Sequence, residues 1–154
     1  MKVQELVDKL NLKVLSGEKG LDREIEGCYV SDLLSDVMGN ADSGNIWITL
    51  QTHKNVMAVA SLKELACIIL VKDFAPNEDT INQSNEEEIP ILQTSMETFE
   101  VTGRVYEIIK SENLKIWKSE KLKNSQILKF SDSQVFKFSV FQIQNSWFNG
   151  VKQI

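Results

Sequence analysis

The sequence predicts an α/β fold, a mainly parallel sheet flanked by helices with a C-terminal appendage, and three observations predict it. Four apolar runs recur near residues 25–30, 46–50, 66–71 and 89–92. Segments with helical spacing of apolar residues lie between them, and this alternation points to parallel strands joined by helical crossovers. The run Ala66 to Val71 (ACIILV) is apolar at every position, as suits a strand covered on both faces. Right-handed crossovers then bring the strand ends to a common edge.

Val3, Leu6, Val7 and Leu10 recur at i, i+3, i+4 and i+7, which predicts an N-terminal amphipathic helix. Leu12 and Val14, followed by Ser16-Gly17, suggest a short strand running into a turn. IEGCYV (25–30) is the next strand, after which Ser31 or Asp32 is placed to cap a helix carrying Leu33, Leu34, Val37 and Met38. IWITL (46–50) reads as a buried strand, and Thr52 as the N-cap of a helix over about 55–65. Pro76-Asn77 opens an acidic helix ending near Glu86-Glu87-Glu88, and IPIL (89–92) is a further strand. Thr94 and Glu97 have capping-box spacing ahead of a helix that buries Phe99, Val101, Val105, Ile108 and Ile109.

The alternation stops near Lys110, and the charge changes there too. Residues 1–110 hold 10 basic and 19 acidic side chains, whereas residues 111–154 hold 7 and 3. The second segment is rich in aromatics, from Trp117 to Phe148, and Gln134 to Gln144 (QVFKFSVFQIQ) has β-propensity. The expected organisation is one α/β domain over 1–110 and a separate extension over 111–154, partly β or disordered.

Composition narrows the function classes. A chain of 154 residues with 42% hydrophobic content can bury a core without staples. A formal charge of -5 gives no support to general nucleic-acid binding. No apolar run approaches the roughly 20 residues that span a bilayer, and the N-terminus begins on an amphipathic stretch instead of a signal-peptide pattern. Cys28 and Cys67 lie inside apolar runs at a spacing that matches no metal or redox motif, so both read as buried, reduced thiols in a cytoplasmic protein. With a single histidine besides, neither a metal nor another cofactor is expected.

The strings LDREIEGCYVSDLLSDVMGN (21–40) and NIWITLQTHKNVMAVASLKELACIILV (45–71) resemble a DRTGG domain, and the likeness extends over about residues 1–110. Asp22 and Arg23 match the first two positions of the family's motif, Glu24 to Glu26 depart from it, and Gly27 arrives one place late. SDLLSDVM and ITLQTH carry more of the resemblance than the motif does. It implies a compact α/β module, found alone or inserted in larger proteins such as phosphate acetyltransferases and CBS-domain pyrophosphatases, where it is regulatory and contributes to dimerisation. The family is also similar to the non-catalytic N-terminal domain of HPr kinase/phosphorylase. Kinase chemistry does not carry over, because the chain has no G-x-x-x-x-G-K-[ST] string.

In open parallel sheets, ligands sit outside the C-terminal strand ends. The candidate ligand-binding residues are therefore Ser31, Asp32, Gln51, Thr52, His53 and Asn55, with Lys54 adding positive charge. Gln51 to Asn55 join a strand to a helix, where free N–H groups receive anions. The plainer account is that Thr52 caps the helix and His53 sits in a loop. Asp32 is available to orient His53 as a base, but no nucleophile or G-x-S-x-G elbow accompanies them, so no catalytic residue is assigned. Asp22 and Arg23 read as a turn held by a hydrogen bond between them. The expected function is a non-catalytic regulatory module, a homodimer that binds a small anionic or nucleotide-like ligand or a protein partner. A component of an HPr-kinase-like serine kinase and a purely structural dimerisation domain are the alternatives.

Overall fold

A computed structural model describes the backbone of residues 1–130 and the side chains of residues 1–122; the predicted β segment at 134–144 lies outside the described residues. The elements are α1 (Val3–Leu10), β1 (Lys13–Ser16), β2 (Gly27–Val30), α2 (Leu34–Asn40), β3 (Asn45–Thr49), α3 (Asn55–Leu62), β4 (Cys67–Leu70), α4 (Glu78–Glu87), β5 (Ile91–Gln93) and α5 (Thr98–Phe130). A 3-10 turn at Glu18–Gly20 follows β1.

The five strands form one sheet in the order β1-β5-β4-β3-β2. The pairs β2–β3, β3–β4 and β4–β5 are parallel, and β1 is antiparallel to β5. The α/β class and the mainly parallel sheet are thus as the sequence predicts.

Side-chain alternation divides the core into two layers. Ile46, Ile48, Cys67, Ile69 and Leu92 face a layer completed by Val3 and Leu6 of α1 and by Val101 and Val105 of α5. Trp47, Ile68, Leu70 and Ile91 face the other side, against Val37 of α2 and Val56, Met57 and Ala60 of α3. Strands β2 to β5 step in one direction across the sheet, so three crossovers of the same hand place α2, α3 and α4 on one face. α1 and α5 lie outside those crossovers and cover the opposite face. Trp47 and the four β4 residues Cys67 to Leu70 are essentially inaccessible, which is why their segments read as unbroken apolar runs.

β1 is anchored to α4 by polar groups. Ser16 Oγ donates to Ser84 Oγ at 2.8 Å, and Ser84 Oγ to the Ile89 carbonyl at 2.7 Å. Gly17 N–H donates to Asn85 Oδ1 at 2.8 Å. Gly17 has φ +70, and a Cβ there would collide with the Ile89 carbonyl, so the approach of β1 to α4 requires glycine.

Two compact units divide the chain at Glu112 and Asn113. Helix α5 does not end near Lys110, where the sequence alternation stops; it runs 33 residues to Phe130. Within the first unit its buried side chains are Val101 and Val105, and the predicted burial of Phe99 is corrected, since that ring is 92% exposed. Within the second unit Leu114, Ile116, Trp117 and Leu122 are exposed, and Lys121 Nζ lies 4.6 Å from the Trp117 ring centroid.

Candidate functional site

The parallel pairing puts the C-terminal ends of β2, β3, β4 and β5 on one edge, and the antiparallel β1 adds its N-terminal residue Lys13 to that edge, opposite Gln93. Three of the strands end the same way. Ser31 Oγ accepts from Leu33 N–H at 3.2 Å, Thr49 Oγ1 from Gln51 N–H at 3.1 Å, and Thr94 Oγ1 from Met96 N–H at 3.2 Å. Each hydroxyl imitates a backbone turn two residues on and bends the chain away from the sheet.

That local use of the hydroxyls corrects the predicted caps. Helix α2 begins after Leu33, with neither Ser31 nor Asp32 as its cap. Helix α3 begins after Lys54, without a side-chain cap bond, so Thr52 is not its N-cap. Helix α5 begins at Thr98, and Thr94 serves the preceding turn. The expected hydrogen bond between Asp22 and Arg23 gives way to one from Arg23 Nη1 to the Leu65 carbonyl at 3.4 Å.

At the β2–β3 end of the edge the polar groups satisfy one another. Asp32 Oδ1 accepts from Thr49 Oγ1 and from Leu50 N–H, both at 2.8 Å. Trp47 Nε1 donates to the Ser31 carbonyl at 2.8 Å. Tyr29 Oη donates to Asp36 Oδ2 at 3.0 Å. Hydrogen bonds from Ser31 and then Tyr29 hold the Asp36 carboxyl below its ordinary range, while partial desolvation, reinforced by that carboxylate, raises the Tyr29 hydroxyl.

The predicted site residues divide between these surroundings. Asp32 and the Thr49–Gln51 turn are brought together through the bonds just described, with Ser31 beside them. The Thr52 carbonyl instead accepts from Thr80 Oγ1 of α4 at 3.1 Å, which ties this loop to the neighbouring crossover. His53, Lys54 and Asn55 are exposed at the start of α3, and Asn55 N–H points at His53 Nδ1 at 3.4 Å. Among the described residues His53 has no bond to Ser31 or Asp32, and no group of three or more His, Cys, Asp or Glu side chains is placed to hold a metal. No described helix is long and apolar enough to cross a membrane.

The β5–β1 end is different. A cleft of about 350 Å³ opens there between the C-terminus of α1, the β1–β5 pair and the start of α5. Lys13, Asp73, Gln93, Thr94, Met96 and Arg104 are among its walls. The β4–α4 loop forms one side in a strained shape, since Lys72 and Asp73 both take left-handed φ, 58° and 57°. Lys72 N–H donates to the Met96 carbonyl at 3.2 Å and Asp73 N–H to the Thr94 carbonyl at 2.9 Å. Gln93 Nε2 donates to the carbonyls of Asp73 and Phe74 at 3.0 and 3.1 Å. The sequence marks Lys72, Asp73, Gln93 and Thr94 as strand-end residues, but not Lys13 and Arg104. A β1–β5 partnership between segments 80 residues apart leaves no local signal.

Among solved structures, the chain is similar to the CBS and DRTGG domains of the regulatory region of Clostridium perfringens pyrophosphatase, a structure complexed with the activator diadenosine tetraphosphate. The two share 13% identity and superpose with a TM-score of 0.53, over 66% of this chain and 44% of that one. This chain therefore spans less than half of the neighbour's length, and the likeness is one of fold. The family model of the DRTGG domain matches residues 5–108, nearly the whole of the first compact unit, and the chain belongs to the DRTGG-domain family.

Proposed function

We propose that this chain is a regulatory module that binds a small anionic or nucleotide-like ligand and acts by binding instead of turnover. One observation carries the reading: the family assignment over residues 5–108, together with a structural neighbour that is a regulatory region complexed with a nucleotide activator. The exposed segment from His53 to Asn55, with Gln51, Thr52, Ser31 and Asp32 behind it, is the proposed contact surface at the β2–β3 end. There Asp32 Oδ2 has no donor among the described residues and is available to a ligand hydroxyl, while Lys54 supplies positive charge. The absence of a carboxylate partner for His53 among the described residues favours a binding role over general base catalysis. The homodimer and the cytoplasmic setting belong to the same proposal. Sedimentation over a tenfold concentration range tests the dimer.

The direct test is a thermal-shift screen of nucleotides and phosphorylated metabolites. A ligand that binds only the folded state at 100 times its Kd adds about 2.7 kcal/mol, enough to move the midpoint by several degrees. His53→Ala is expected to leave the unliganded midpoint unchanged and to weaken the binding of the compound found. If no compound shifts the midpoint and the chain sediments as a dimer, a purely structural dimerisation role replaces this reading.

A further inference from the structure

We infer that the cleft at the β5–β1 end is the seat of the ligand's anionic group, and that the ligand is a small metabolite with an anionic head and hydroxyl or ammonium donors on its body. The inference deepens the ligand-binding reading above and rests on it, but assigns the anion to residues outside the surface proposed there.

Four observations converge. The cleft volume, about 350 Å³, lies at the lower end of the ~300–1,000 Å³ range of small-molecule sites. Its cations are not consumed internally. Among the described residues Lys13 Nζ makes no ion pair, and Arg104 spends one nitrogen, Nη2, on Glu100 at 2.7 Å, leaving other guanidinium donors for a carboxylate or phosphate. Across the cleft the Asp73 carboxylate also has no partner among the described residues, and it suits the donors on the ligand's body. The wall that carries Asp73 is held in a strained backbone by Gln93, Thr94 and Met96, and strain of this kind persists where surrounding structure fixes a group in position.

The other half of the edge is a poorer seat for an anion. Asp32 already presents a carboxylate to the Thr49–Leu50 donors, occupying the position an external anion would take and repelling a second negative charge. Along the edge, β4, which leads into Asp73, is two strand places from β2, and β1, which carries Lys13, is four, roughly 10 and 19 Å away.

Amide chemical-shift titrations of the full chain test the assignment, with inorganic phosphate, ribose 5-phosphate and glutamate as separate probes. Saturable shifts are expected at Asn11, Lys13, Thr94, Ser95 and Met96, with ribose 5-phosphate or glutamate at least tenfold tighter than phosphate alone. The double substitution Lys13→Gln, Arg104→Gln is expected to weaken that binding at least tenfold. Asp73→Asn should reduce the preference for the larger probes over phosphate. Both positions of the double variant are exposed, so an unchanged melting midpoint certifies its fold. Shifts confined to Gln51–Asn55, or binding indifferent to the double substitution, overturn the cleft and leave the ligand-binding reading standing. Saturation of the cleft by phosphate, with neither larger probe binding and no nucleotide or phosphorylated metabolite shifting the midpoint, keeps the anion seat and overturns the regulatory reading. No saturable shift with any probe overturns the cleft assignment outright.

Discussion

The two ends of the sheet edge where the strands stop are built from the same kinds of residue and do opposite things with them. At the β2–β3 end a carboxylate, two hydroxyls and an indole N–H bond to one another and to the backbone, so that Thr49 and Trp47 are internal struts and the exposed Asp32 has one of its two oxygens engaged. At the β5–β1 end the charged groups of Lys13 and Asp73 stand around an open cleft with no partners among the described residues. Strand ends in α/β sheets are polar everywhere, so polarity alone does not mark a site. The distinction lies in which polar groups remain unspent after the chain has stopped its strands and started its helices.

The largest expected effect tests how tightly the β2–β4 side is sealed. Burial pushes the Cys28 thiol from its ordinary 9.0 up to about 12, and raises that of the fully buried Cys67 as well. Both thiols therefore stay protonated in the folded chain at pH values where the unfolded chain has lost those protons. Stability is complete below pH 9 and falls as pH rises from 9 toward 12, with both thiols contributing to the decline. Denaturant melts at pH 8, 9, 10 and 11 check this, and Cys28→Ala should show a shallower decline. A stability that is flat across this range contradicts the sealed interior.

Next in size is Asp32→Ala. It strips acceptors from the buried Thr49 hydroxyl and from Leu50 N–H, at a cost of roughly 1–3 kcal/mol. A change below half a kcal/mol by chemical denaturation would mean that the β2–β3 end is less closed than its hydrogen bonds indicate.

The smallest effects should come from Thr52→Ala and Lys13→Gln. Thr52 contributes its carbonyl, not its side chain, to the bond with Thr80, so losing the hydroxyl should cost under about 0.5 kcal/mol, below the ~1 kcal/mol of a true N-cap. Lys13→Gln should change unliganded stability as little, because the side chain is exposed and forms no ion pair among the described residues. A large loss at Thr52 would restore the capping role, and a large loss at Lys13 would make that lysine structural.

The positions of the main elements were legible because each depends on short-range pattern. The all-apolar run around Cys67 to Leu70 can be hidden only by covering both faces, and the i, i+3, i+4, i+7 spacing of Val3 to Leu10 suits only a helix with one wet side. The capping assignments failed at Ser31 and Thr94 for a common reason. A serine or threonine between a strand and a helix can serve the end of one or the start of the other, and the residue type is the same for both. Asp32 shows the limit most clearly. Its sequence context offered a cap, a ligand contact or a partner for His53. The structure spends it on Thr49 and Leu50, residues 17 and 18 positions away.

By itself the sequence determined the α/β class, the strand and helix succession and the family, because periodicity and local strings of residues encode them within a few turns of chain. Tertiary structure alone decided the pairing of β1 with β5, the two-layer division of the core and the fate of each polar strand end. Those depend on which distant segments meet. Lys13 acquired a place on the edge where the parallel strands end only through an antiparallel partner 80 residues on. Asp32 lost its freedom only because β3 stops beside it, and no pattern confined to one stretch of chain carries that information.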